Sequence, residues 1–183
     1  MPDITPEESI LIQALALAES IVKLGELEVR NDPLISDNID RIFGSTGKSM
    51  KSTKHSVFQG QGVLVSVFYM FLVLPHEWAT KGVGNFGNLD LANAEAFAKA
   101  KAVVEKDYKD QNYGALRHFR NALSHGSIYG REDGTLVIED KNTKSECYRA
   151  VYSYEVLGEL AQHLYEAITT HLNKAISQRP PTA

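Results

Sequence analysis

The chain has 183 residues, a length that a single hydrophobic core can serve, so we expect one domain over residues 1–183. With 43% hydrophobic and 23% charged residues, its composition is that of a globular protein, which excludes a largely disordered or collagen-like chain. A net charge of −4 excludes a uniformly basic nucleic-acid coat, and the single cysteine, Cys147, excludes an internal disulfide scaffold and a cysteine-rich zinc site.

The first predicted helix begins with a capping box. Thr5 is a good N-cap, Pro6 suits the first helical position, and Glu8 stands three residues after the cap. Apolar residues then recur at helical spacing, so this helix should run to about Val29. A short helix is expected to follow near Asp37–Phe43.

The next segment contains a sequence that superficially resembles a phosphate-binding loop. Residues 44–49 have the sequence GSTGKS, but the P-loop motif requires a further glycine at the position of Ile42. We therefore expect a loop made locally basic by Lys48, Lys51 and Lys54. Such a loop could touch a phosphate backbone, although a solvated lysine loop is the simpler interpretation.

Three helices are predicted in the middle of the chain. The first covers Val57–Leu74 and ends at Pro75; its apolar run of 12 residues is shorter than the ~20 that span a bilayer, so we expect a buried core helix and no membrane partner. After a glycine-rich loop, the helical spacing of apolar residues predicts a helix over Leu91–Tyr108. A short helix over Tyr113–Ser124 should follow, with Gly126 as its C-terminal cap.

The periodicity then changes to that of strands. Leu136–Glu139 and Cys147–Tyr152 predict a β-hairpin whose turn covers residues 140–144. A last helix is expected over Tyr154–Ile176, because its apolar residues fall at helical spacing. The tail at 178–183 should be disordered.

These elements predict an all-α fold. It would be an up-and-down bundle of four or five helices with a small β-hairpin, at about 127–152, inserted before the last helix. The single cysteine and the polar, acidic first residues favour a cytoplasmic location.

No metal or cofactor site is expected. His76 and Glu77 begin like the zinc-protease signature HExxH, but its second histidine is replaced by Thr80. His163 and His171 face roughly the same way on the last predicted helix, yet no third ligand is near them in the sequence.

The segment Leu116–Gly126 concentrates basic side chains in an acidic protein. It contains two arginines, two histidines and an asparagine within eleven residues. At 100° per residue, its apolar side chains form one narrow stripe that should face the core. The residues of this stripe are Leu116, Phe119 and Leu123. Arg120 falls at the edge of the stripe, where it requires a partner or an interface because an unpaired buried charge is costly.

In this segment, Arg120-Asn121-Ala122-Leu123-Ser124-His125 resembles the R-x4-6-H signature of the HEPN superfamily. Asparagine after the arginine and Gly126 after the histidine are also familiar in that superfamily, and the helical context agrees with it. One branch carries a regulatory tyrosine two residues after the histidine. Here that position is Ser127 and the nearest tyrosine is Tyr129, which argues against that mode of regulation.

The resemblance implies a metal-independent endoribonuclease whose two copies dimerise so that their motifs face one cleft. Its partners would be RNA and an antitoxin or another defence-system protein. Arg120 and His125 would be the catalytic pair, with Asn121 as a polar helper. A histidine suits this role because it titrates near neutral pH, and an arginine can stabilise a crowded phosphate. Further candidates for substrate binding, chosen for their proximity, are Arg117, His118 and Ser124.

Two alternatives remain open. A catalytically inactive HEPN-like module that binds RNA or a protein would fit the acidic pI of 5.9. A purely structural bundle would satisfy Arg120 with a carboxylate of its own chain, because ion-pair networks also gather such groups.

Overall fold

The computed structural model describes residues 4–30, 32–35, 37–38, 41, 61–83, 86–100, 102–106, 114–131, 133–144 and 146–179. Its helices are α1 (Pro6–Val29), α2 (Gln61–Phe68), α3 (Leu74–Thr80), α4 (Gly87–Lys99), α5 (Ala115–Ser124) and α6 (Tyr154–Ser177), and a π-helix, Tyr69–Val73, joins α2 to α3. Its strands are β1 (Val103–Lys106), β2 (Ile128–Gly130), β3 (Thr135–Lys141) and β4 (Cys147–Ser153). The predicted basic loop at Lys48–Lys54 lies outside the described residues. So does much of the helix predicted near Asp37–Phe43, of which residues 37, 38 and 41 are described and helical.

Helix α1 confirms the predicted capping box. The Thr5 backbone N–H donates to Glu8 Oε2 (2.9 Å), and the Glu8 backbone N–H donates to Thr5 Oγ1 (3.3 Å). Arg179, just beyond α6, donates to Glu8 Oε1 (2.6 Å) and so ties the end of α6 to the start of α1. Burial opposes ionisation of Glu8, but the hydrogen bonds from Thr5 and Arg179 outweigh it and hold the Glu8 pKa below its ordinary value.

The prediction of an all-α fold was wrong, because the chain has a four-stranded antiparallel sheet in the order β1-β4-β3-β2. The predicted hairpin is real, but it forms only the central pair of that sheet, β3 and β4. Strand β2 pairs with β3 at one edge, and β1 pairs with β4 at the other. The fold is therefore mixed α and β. Because β1 and β2 are consecutive strands at opposite edges, the chain that contains α5 crosses the whole sheet.

Strand β1 replaces the end of the helix predicted over Leu91–Tyr108. The helix follows this apolar spacing only as far as Lys99, where α4 ends. Val103 and Val104 then pair with Val151 and Ala150 of β4. Two consecutive β-branched residues favour a strand when a partner strand is available, and that partner lies more than 40 residues away in the sequence.

The helix predicted over Val57–Leu74 does not end at Pro75. The Leu74 N–H donates to the carbonyl of Tyr69, five residues back, and this widened π turn precedes Pro75 at the start of α3. The proline ring therefore avoids the clash that it would cause inside a regular α-helix. Residues 62–80 have a mean hydropathy of 1.4 and enough length to cross a membrane. A third of this stretch is buried inside the protein, including Val67, Phe68 and residues 71–73 of the core.

Phe119 of α5 lies at the centre of the core and is fully buried. Its ring meets those of Phe68, Phe97 and Tyr152 edge-on, at centroid distances of 5.2, 5.1 and 5.3 Å. These three rings belong to α2, α4 and β4. Helix α5 is consequently held between two helices on one side and the inner face of the sheet on the other.

Candidate active site

Helix α5 carries the basic motif on the side that its apolar stripe leaves free. The predicted stripe is confirmed, because Leu116, Phe119 and Leu123 are all buried. Arg117 and Ser124 are exposed, whereas Arg120 and Asn121 are half-buried. Arg120 thus occupies the border between core and solvent, as its position on the helical wheel predicts.

His125 is the C-cap of α5 and is held by a Schellman motif. Gly126 has a φ of 65°, a left-handed conformation that glycine adopts without strain, so its predicted capping role is confirmed. The Ser127 N–H donates to the Ala122 carbonyl (2.8 Å), and the Gly126 N–H donates to the Leu123 carbonyl (3.3 Å). The exposed imidazole of His125 is therefore presented at a fixed helix end.

Arg120 and His125 leave α5 in different directions. Five residues separate them, which corresponds to about 140° around the helix and about 7.5 Å along its axis. His125 has near-helical backbone angles, φ −99° and ψ 2°, so the end of the helix at Ser124 does not turn its side chain far toward Arg120. A phosphate that contacts both groups must consequently approach from beyond the end of the helix. Otherwise a second copy of the chain must complete the site.

A buried polar cluster links α5 to the sheet. His118 Nδ1 lies 2.8 Å from Asp140 Oδ2, and Asn121 Nδ2 donates to the same oxygen at 3.1 Å. The His118 ring also stacks on Tyr148, with centroids 3.9 Å apart and planes inclined by 11°. His118 is only 1% exposed and Asp140 only 5%, so their contact is shielded from bulk water, while the half-buried Asn121 forms the solvent side of the cluster.

Asp140 and Tyr148 were missed in the sequence. The sequence assigns Asp140 to the turn of the hairpin, but β3 continues to Lys141. The turn begins at Asn142, whose Oδ1 accepts from the backbone N–H groups of Lys144 and Glu146. The available signal was strand alternation. In β3, residues 136, 138 and 140 share the inner face, which places a carboxylate in line with two buried apolar residues.

The outer face of the sheet carries a separate set of charges. Glu139 accepts hydrogen bonds from Arg149 and from the Tyr129 hydroxyl, the latter at 3.1 Å. Arg131 donates to both carboxylate oxygens of Glu105, at 3.0 Å each. Burial opposes ionisation of Glu139, but its hydrogen bonds, that from Arg149 above all, keep its pKa below the ordinary value.

Within the described part of the chain, no three His, Cys, Asp or Glu side chains are grouped so that they could hold a metal ion. His163 is exposed, while the His171 ring lies beside that of Phe86, tilted by 32° with centroids 5.1 Å apart. Burial lowers the pKa of His171. Both histidines line a cavity of about 430 Å³ between α4 and α6, and a second cavity of about 790 Å³ lies among α1, α2 and α6. Neither cavity is lined by a residue of the motif.

Of the six predicted site residues, the structure brings His118 and Asn121 together on Asp140. It places the other four, Arg117, Arg120, Ser124 and His125, along the solvent side and C-terminal end of the same helix. The roles assigned to all six stay predictions. For His118, the structure adds a buried contact with the sheet beside the assigned role in substrate binding.

A protein-family model described as HEPN pEK499 p136 matches residues 22–175, well over half of the chain. The matched region includes all of α5 and the whole sheet. No curated protein and no solved structure matches the chain.

Proposed function

The chain belongs to the HEPN family described as HEPN pEK499 p136, and from this premise we propose that it is a metal-independent endoribonuclease. HEPN modules are often ribonucleases, and the observation that carries the proposal is the position of the motif. An exposed histidine closes the motif helix at a rigid cap, and a half-buried arginine lies five residues before it. Both side chains belong to a helix anchored deep in the core through Phe119.

In the proposed reaction, the ribose 2′-hydroxyl attacks the adjacent phosphorus. His125 accepts the hydroxyl proton, the new O2′–P bond forms, and the P–O5′ bond breaks. The products are a 2′,3′-cyclic phosphate and a free 5′-hydroxyl, whose oxygen takes a proton from a general acid. Arg120 donates hydrogen bonds to the phosphate oxygens, where negative charge accumulates in the transition state.

A homodimer supplies the second histidine that this scheme requires. Because Arg120 and His125 of one chain diverge by about 140° around the helix, one copy does not surround a phosphate by itself. Two copies facing each other would place one His125 as base and the other as acid. We therefore propose that the motif lies at the dimer cleft, with Arg117 and Ser124 contacting the RNA backbone on either side.

The setting that we propose is bacterial toxicity or phage defence in the cytoplasm. An antitoxin or another defence protein would then restrain the nuclease. The family assignment supports this setting, because HEPN nucleases act in such systems.

The experiment is cleavage of a labelled mixed-sequence single-stranded RNA in excess EDTA, with wild type compared with Arg120→Ala and His125→Ala. Loss of cleavage in both variants, together with 2′,3′-cyclic phosphate ends in the wild-type reaction, is the expected result. Lys174→Ala, an exposed residue of α6 distant in sequence from the motif, is the control and should cleave as wild type does. Equal cleavage by all four proteins would contradict the assigned site.

The second candidate is a HEPN module that binds RNA or a protein without cleaving it. The net charge of −4 favours it, because general attraction to RNA is weak for an acidic surface. A folded wild-type dimer that cleaves none of a varied set of RNAs would favour this candidate over the ribonuclease.

A further inference from the structure

Strand β3 forms hydrogen bonds with the end of α5 on both sides of His125 in the sequence. Four residues before the histidine, the Asn121 side chain donates to Asp140 Oδ2 (3.1 Å). Two residues after it, the Ser127 carbonyl accepts the backbone N–H of Glu139 (2.9 Å). These two contacts, made by consecutive residues of β3, are named the β3 clamp.

Asn121 is the connection between the β3 clamp and His125. Its backbone carbonyl accepts the N–H of His125 at 2.9 Å, while its side chain is held by Asp140. The Asn121 amide group donates through its nitrogen, so the carbonyl oxygen Oδ1 is directed away from the carboxylate. Besides the N–H that Asp140 holds, the side chain therefore has a second N–H and the oxygen Oδ1.

Stability alone does not account for a carboxylate at position 140. The neighbouring residues of the same face, Leu136 and Ile138, are both fully buried, and an apolar residue would continue their row. A buried carboxylate is costly to desolvate, and replacing a whole buried ionic cluster by well-packed apolar residues is often neutral or stabilising, although removing one member alone is not. Asp140 instead uses one oxygen to hold two side chains of α5, His118 and Asn121.

We propose that Asp140 is a positioning residue of the RNA-cleaving site. It acts through Asn121, whose second amide N–H it orients to donate to a phosphate oxygen, and it fixes the helix turn from which His125 extends. This inference rests on the proposed ribonuclease function. It assigns a role in the reaction to the sheet, which lies outside the motif.

The test compares four variants by steady-state RNA cleavage and by thermal unfolding. Asp140→Leu removes the acceptor while keeping an apolar face, and Asp140→Asn keeps one oxygen that can accept from both partners without the charge. Asn121→Ala and the double variant Asp140→Leu/Asn121→Ala complete a double-mutant cycle. The matched control is Glu139→Gln, which changes the adjacent carboxylate on the outer face and leaves the backbone contact of the β3 clamp in place.

We expect Asp140→Leu to lower kcat at least about tenfold with little change in KM, because a small displacement of a reacting group is enough for such a loss. The kcat of Asp140→Asn should stay within about threefold of the wild-type value, and the kcat of Glu139→Gln should equal the wild-type value. Adding Asp140→Leu to Asn121→Ala should cause no further loss of kcat. If Asp140→Leu does not fold, Asp140→Thr, whose side chain suits a strand, takes its place in the cycle.

Three results would overturn the inference. Normal kcat in folded Asp140→Leu would remove any role for the side chain. Independent, multiplying losses from Asp140→Leu and Asn121→Ala would show that Asp140 does not act through Asn121. In both cases the ribonuclease itself would stand. A wild-type protein that cleaves no RNA would overturn the proposed function and this inference with it.

Discussion

Glu139 and Asp140 are consecutive carboxylates of one strand, and they connect to different parts of the molecule. Asp140 faces inward, is 5% exposed, and holds two side chains of α5. Glu139 faces outward and pairs with Arg149 of β4 and Tyr129 of β2, both within the sheet itself. The outer contacts of Glu139 thus connect neighbouring strands that backbone hydrogen bonds already connect. The inner cluster around Asp140 instead connects two layers of the fold, the sheet and α5.

The largest difference should appear when each carboxylate is removed. Asp140→Ala should lower the free energy of unfolding by about 3 kcal/mol, because it removes the carboxylate oxygen that the buried His118 ring and the half-buried Asn121 amide share. Urea unfolding followed by circular dichroism measures the change. If Asp140→Ala lowers the free energy of unfolding by less than about 1 kcal/mol, as at exposed ion pairs, the Asp140 and Glu139 carboxylates contribute similarly to stability.

A smaller loss is expected from Glu139→Ala. The Glu139–Arg149 pair is half-buried, and water and salt still screen it in part, so we expect about 1 kcal/mol in the same urea experiment. A loss matching that of Asp140→Ala would show that the outer pairing is as important as the inner one.

Removing the Glu139 carboxylate should also change how the stability of the protein depends on pH. The pKa of Glu139 is lowered in the folded protein, so its stabilising contribution is present above its unfolded pKa of 4.5 and is lost as pH falls through the folded value. Glu139→Gln should therefore have a shallower decline of stability below pH 5 than wild type. Urea midpoints measured from pH 6 to pH 3 test this, and parallel curves for the two proteins would contradict it.

The smallest expected effect is that of salt. At about 1 M ionic strength the screening length is about 3 Å, so the difference in stability between wild type and Glu139→Ala should shrink. The loss caused by Asp140→Ala should change little, because buried groups are screened much less. Equal salt sensitivity of the two losses would contradict the assignment of one cluster to the interior.

Elements governed by local patterns were predictable from the sequence. Helix α1 has a complete capping box, and the predicted hairpin was confirmed because turn residues separate two runs of strand formers. Strand β1 was not predictable in the same way. Its residues follow a helical pattern without a break, and only pairing with the distant β4 selects the extended form.

The same difference between local patterns and long-range contacts applies to the candidate site. Arg120, Asn121 and His125 were found because they lie within one short motif on one helix. Asp140 and Tyr148 were not, since they are 19 or more residues beyond Asn121 and reach the motif helix, through Asn121 and His118, only in the folded protein. An aspartate beside a predicted turn is also the residue most readily explained by the turn itself.

The order of the strands has a consequence for synthesis of the protein. Helix α5 precedes β3 in the chain, and the sheet is completed only when β4 pairs with both β3 and β1. During synthesis, the segment of α5 therefore leaves the ribosome before β3, the strand that it packs against. Domains generally fold as units once their contacts are available. On the proposed function, the nascent nuclease stays immature while its own messenger RNA is still being translated beside it.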